Sequence, residues 1–153
     1  MTGTPTATAS SPPPTCVSAA DLIVALHQAN RFEIAKSRLA LVRSRDADIR
    51  HMARDVIRDH ALLDADLRIV ASDLGVTLTN TLTADQQAIL RDLRHLRGVA
   101  FNTEWVDVQI VAHEDALAMI DDFLESGSDQ GILDLVDESR VVVAYHLWVL
   151  EQM

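Results

Sequence analysis

Beyond Pro14 this 153-residue chain contains no proline, and its remaining length holds only four glycines: Gly75, Gly98, Gly127 and Gly131. Proline and glycine are the strongest local breakers of regular structure, so these positions divide the chain into long uninterrupted segments. Within the segments, apolar residues recur at the three/four spacing of an α-helix. Ser18 and Asp21 suit a helix start, and Leu22, Leu26, Ala29, Ala40 and Leu41 keep one face apolar, which predicts a first helix over 18–45. Asp46-Ala47-Asp48 offers caps for a second helix, carried by Ile49, Ala53, Val56, His60, Leu63, Leu67, Val70 and Leu74 and ended by Gly75. Thr83 and Gln86 have the spacing of a capping box, starting a shorter helix that ends near Gly98. A third long helix is expected over 101–125. Its two adjacent apolar stripes run through Trp105, Val108, Ala112, Ala116, Met119 and Phe123, and through Val106, Ile110, Leu117, Ile120 and Leu124, which predicts deep burial. Ser128 can cap a last helix lined by Ile132, Leu135, Val136, Val142, Val143, Leu147 and Leu150. No alternating strand pattern competes. Two long hairpins joined by a connection containing a short helix make an all-α, four-helix bundle.

That reading places one folded domain at 18–153, preceded by a spacer at 1–17. Eleven of the first fifteen residues are Ser, Thr or Pro, a composition that cannot bury enough apolar surface to order itself. The spacer lacks the basic start and apolar core of a signal peptide, yet it suits the mature remainder of an exported precursor. A cytoplasmic location stays open beside the exported one. The single cysteine, Cys16, excludes an internal disulfide. No transmembrane segment is expected, because no stretch approaches the roughly 20 apolar residues that a spanning helix needs. The net charge of -10 argues against nucleic acid as a partner. The charge is uneven: residues 98–153 hold twelve acids and one base, Arg140, whereas most of the bases lie between Arg31 and Arg58. A protein partner or a homo-oligomer could use either surface.

Three of the six histidines, His60, His113 and His146, occupy positions where the helical period calls for Leu or Val, each on a different long helix. The first helix carries a carboxylate in the equivalent place, Glu33. Glu33 stands fourteen residues before Ala47 and His60 thirteen after it, so both lie about 20 Å from the hairpin turn. His113 and His146 agree in height to about one helical turn. One carboxylate and three imidazoles at a common depth can complete the shell of a single Zn, Fe, Mn or Cu ion. Gln109 and Asp64, one turn from His113 and His60, are the expected acceptors for the outer ring N–H groups. The alternative is a metal-free polar layer in which Glu33 accepts hydrogen bonds from histidines and fixes helix register, in a structural or interaction protein.

Other chemistries lack their residues. A dinuclear iron bundle needs Glu-x-x-His on two helices, and His60, His113 and His146 are preceded three residues earlier by Ile57, Ile110 and Val143. Asp48-x-x-His51 and Asp92-x-x-His95 fall near helix ends and read as solvated. Phosphate loops, nucleophile elbows and Cys/His pairs are missing, so no catalytic residue is assigned and a binding role is favoured over an enzyme. The rings of Trp105, Tyr145 and Trp148 are expected to cap the core.

Several short motifs follow one another in order: Asn30-x-x-Glu33-Ile34, Ala53 through Asp59-His60, Leu74-Gly75-Val76, Gly98-x-x-Phe101-Asn102 leading to Trp105 and His113, and His146-Leu147. Their order resembles the bacterial domain-of-unknown-function 4142 family. The resemblance spans residues 20–152. It implies a ferritin-like bundle, an exported or envelope-associated location and no assigned reaction, with recurrent site residues at Glu33, His60, His113 and His146. Asp64, Asn102, Trp105 and Val141 depart from the residues usual in that family at or near those positions.

Overall fold

The protein is described from a computed structural model, which covers residues 17–126 and 129–153. The expected spacer at 1–17 falls outside the described residues except for Val17, and so does the Ser128 cap. Among the described residues, five α-helices follow in order: α1 (Ala19–Arg43), α2 (Ala47–Asp73), α3 (Ala84–His95), α4 (Gly98–Ser126) and α5 (Leu133–Leu150), the last entered through a short 3-10 turn at Gln130–Ile132. No strand occurs among the described residues.

The helix ends follow the cap chemistry. The Ser18 hydroxyl accepts from the Asp21 backbone N–H, and the Asp46 carboxylate accepts from the N–H groups of Asp48 and Ile49. Thr83 and Gln86 form both halves of the capping box. Gly75, with φ of 69°, supplies the left-handed residue that lets Val76 N–H bond back to the Ala71 carbonyl and closes α2. The first helix stops two residues short of the expected 45, because three residues, Ser44 to Asp46, make the turn to α2. Arg50 braces that turn by donating through Nη1 to the carbonyls of Leu41 and Ser44.

The helices α1 and α2 form one hairpin, and α4 and α5 form the other. They pack together through α1 against α4 and α2 against α5. The connection between hairpins carries α3, which lies over α1 and α4. The interior is apolar at both ends and polar in the middle. One apolar cluster, with Leu22, Leu26, Leu67, Ile120, Phe123 and Val136, fills the end remote from the α1–α2 turn. A second, with Ala53, Val56, Leu93, Phe101, Trp105 and Leu150, fills the end near it. Between them Asn30, Glu33, Lys36, Ser37, His60, Gln109, His113, Ser139 and His146 are all buried.

Two expectations about burial need correction. Trp105 is fully buried and donates through Nε1 to the Lys36 carbonyl, but Tyr145 and Trp148 lie more than half exposed, stacked on each other with ring centroids 6.3 Å apart. Their positions on α5 fall outside the arc that faces the bundle, so they do not cap the core. Nor is α4 buried along both stripes. Val108, Ala112, Ala116 and Met119 line an open groove bounded by α1 and α3, because α1 and α3 do not close over that stripe of α4.

The two tryptophans should therefore separate cleanly in equilibrium urea unfolding. Trp105→Ala is expected to cost about 3–5 kcal/mol through the cavity and the lost Nε1 bond. Trp148→Ala should stay within about 0.5 kcal/mol of the parent.

Candidate metal centre

In the polar layer the three imidazoles of His60, His113 and His146 meet at the bundle axis. Their ring centroids form a nearly equilateral triangle, with sides of 5.5 Å (His60–His113), 5.4 Å (His60–His146) and 5.5 Å (His113–His146). One nitrogen from each ring lies within 4.8 Å of one from each of the others. Each histidine is at least 97% buried, with relative exposures of 3%, 1% and 0% in the same order.

Each ring is held from outside by one hydrogen bond. His60 Nδ1 donates to Asn30 Oδ1 on α1 at 2.9 Å. His113 Nδ1 donates to the Gln109 backbone carbonyl one turn earlier on α4, at 2.8 Å. His146 Nε2 donates to Asp59 Oδ2 on α2 at 3.0 Å. A carbonyl or carboxylate oxygen can only accept, so in each neutral ring the proton sits on the bonded nitrogen. The other nitrogen, Nε2 of His60, Nε2 of His113 and Nδ1 of His146, then presents a bare lone pair, and all three are buried without a partner. Such tautomer locking by an outer acceptor is the arrangement that makes histidine a good metal ligand.

Glu33 enters the layer differently from the three imidazoles. Its Oε1 accepts a 2.7 Å bond from Lys36 Nζ, itself fully buried and set 4.4 Å from the Phe32 ring centroid. Its Oε2 is buried without a partner and stands 3.9 Å from His113 Nδ1, the nitrogen already bonded to Gln109. The group of mutually close ligand nitrogens thus forms from the histidines, with the carboxylate beside it and committed on one oxygen to an ammonium. Burial works to raise the Glu33 pKa, but Lys36 and the neighbouring imidazoles outweigh it and hold the carboxyl below its usual range. Burial also pushes the Lys36 ammonium down from its usual value, opposed by Glu33.

The expected outer acceptors are corrected in two places. Asp64 does not serve His60; it accepts a 2.6 Å bond from His27 Nδ1 and a 2.8 Å bond from Arg68 Nε. One turn further along α2, Asp64 faces a residue one turn earlier on antiparallel α1, which leaves Asn30 opposite His60. Gln109 does serve His113, but with its backbone carbonyl, while its side-chain Nε2 donates to Ser37 Oγ. Three contributors escaped the periodicity argument: Asn30, Asp59 and Lys36. The first two were in view as polar neighbours of Glu33 and His60, three residues and one residue away. Lys36, three residues from Glu33, could have been paired with it by helical spacing.

Desolvation, reinforced by the two neighbouring imidazoles and only partly offset by Glu33, drives the His60 pKa from 6.5 down to about 3. His113 is lowered too, first by burial. A base whose folded pKa is depressed leaves the unfolded chain binding more protons below pH 6.5. Stability is therefore complete above that pH and lost as pH falls toward 3. The metal-free protein should show a falling Tm between pH 6.5 and 5, above the range where carboxylates protonate, and His60→Gln should flatten that slope. An unchanged slope in the variant would assign the pH dependence elsewhere.

The comparisons with known proteins agree with this architecture. A family described as a domain of unknown function (DUF4142) matches residues 3–153. The crystal structure of a DUF305 fragment from Deinococcus radiodurans is similar in fold, with a TM-score of 0.78 and 14% sequence identity over 87% of this chain and 92% of that one. No curated protein matches.

Proposed function

For a chain that belongs to the DUF4142 family, a family defined without a function, we propose from the site itself that the protein binds a single transition-metal ion through His60, His113 and His146. The observation that carries this reading is the set of three buried, unpartnered imidazole nitrogens at the bundle axis. Buried acceptors without donors are costly, at about 1–3 kcal/mol each. A polar layer that only fixed helix register would be expected to satisfy its members with one another. Here the rings bond outward, to Asn30, Gln109 and Asp59, and leave the centre to something electrophilic.

Neutral imidazoles suit Zn, Cu and Fe, and three of them leave a coordination position open. A tetrahedral ion with bonds of about 2 Å sets its nitrogens roughly 3.3 Å apart, so the rings would draw inward on binding. Glu33 is the nearest buried carboxylate and would compensate the added charge. It could serve as a fourth ligand through Oε2, with Oε1 still on Lys36. The binding residues come without the Glu-x-x-His pairs of a dinuclear centre, so a binding or sensing role is favoured over oxidase chemistry. The exported or envelope location expected from the family resemblance belongs to the same proposal.

Elemental analysis of protein purified without a His tag and loaded with Zn2+ should find about one ion per chain, against near zero in His60→Ala and His113→Ala. Loading should also raise Tm by mass action, and chelator should reverse the rise. Equal metal content in parent and variants would refute the site.

A further inference from the structure

The groove left beside α4 shares wall residues with a small cavity at the histidine centre, and its chemistry is one-sided. It is an open depression of about 560 Å3 bounded by α1, α3 and α4. Behind it lies a second, small cavity of about 20 Å3 whose wall includes His60 and His113. The two share four wall residues: Ala29 and Glu33 of α1, and Ala112 and Ala116 of α4. Three methyl groups and one carboxylate thus face both the groove and the small cavity that His60 and His113 line. Alanine side chains are too short to fill a helix–helix gap, so the wall here is built of small groups.

Four exposed carboxylates, Asp85, Glu104, Asp107 and Asp115, lie on the groove, and among the described residues no lysine, arginine or histidine lines it. None of the four forms an ion pair among the described residues. On the opposite side of the centre, Asp59 is covered by the Arg58 guanidinium, which bonds both of its oxygens and opposes the approach of a cation. Inside the wall, Glu33 Oε2 and the Nε2 atoms of His60 and His113 are buried and unpartnered, so a cation crossing it meets unused ligand atoms in succession.

We propose that the groove between α1, α3 and α4 is the access route by which a divalent metal cation reaches the centre, with the four carboxylates concentrating it and Glu33 passing it between the alanines to the imidazoles. The route rests on the metal-binding reading above, but it concerns rates where that reading concerns equilibrium. A path changes how fast an ion enters and leaves without changing the affinity of the completed site.

The test follows Co2+ loading of the full chain by stopped-flow absorbance, with dissociation into excess chelator measured in parallel. Ala112→Leu, which narrows the wall, should slow entry and exit together by about tenfold while leaving the stoichiometry and Kd of the parent. Neutralising the surface as Glu104→Gln, Asp107→Asn and Asp115→Asn should lower the entry rate severalfold at low salt and remove most of its salt dependence. This second variant alters only exposed side chains, so it decides the matter if the first fails to fold. Parent-like entry rates in the surface variant, with normal loading, would overturn the route and leave the centre intact. A parent that takes up no Co2+ would overturn both.

Discussion

Three hydrogen bonds that point away from the bundle axis set the character of this protein. Asn30, the Gln109 carbonyl and Asp59 each accept a hydrogen bond from one imidazole N–H and so restrict the freedom of the ring to turn. Had the rings bonded one another, the layer would be a closed network of the kind that merely registers helices. Because every proton is directed outward, three lone pairs are left in a desolvated space with no donor to meet them. Desolvation also favours the neutral form of two of the rings, driving the His60 pKa down to about 3 and lowering that of His113, so neither readily relieves its unpartnered lone pair by taking up a proton.

The surrounding architecture can be read as support for that arrangement. Apolar clusters at both ends of the bundle clamp the helices, so the polar layer between them is held at fixed depth. Trp105 and Gln109 of α4 bond to Lys36 and Ser37 of α1, tying together the two helices that carry His113 and Glu33. The buried Glu33–Lys36 pair adds a carboxylate without adding net charge. An ion pair this deep gives little net stability, since desolvation offsets most of the attraction. Its placement beside His113 is better understood through the centre it adjoins.

Much of the fold was legible in the chain because helix propagation is a local matter. Three/four spacing, the caps at Ser18, Asp46 and Thr83, and the break at Gly75 are written within a few residues of where they act. Counting residues back from a hairpin turn sufficed to put His60 at the depth of Glu33, since helical rise is constant. The same logic failed where side chains choose partners across helices. Asp64 lies one turn from His60 and was expected to serve it, but the facing residue on α1 is His27. Tyr145 and Trp148 look like core by type and lie on the surface by angle.

The sequence by itself determined an all-helical bundle and the presence of three histidines inside it, because periodicity fixes which side of each rod is buried. Only the tertiary structure decided which ring nitrogen is free, that Glu33 is engaged by Lys36, and that alanines build the wall beside the centre. Those features depend on the rotation of each helix about its own axis and on the gap left when α3 crosses two others. Spacing along one chain carries no record of either, since both are set by the packing of side chains that lie far apart in sequence.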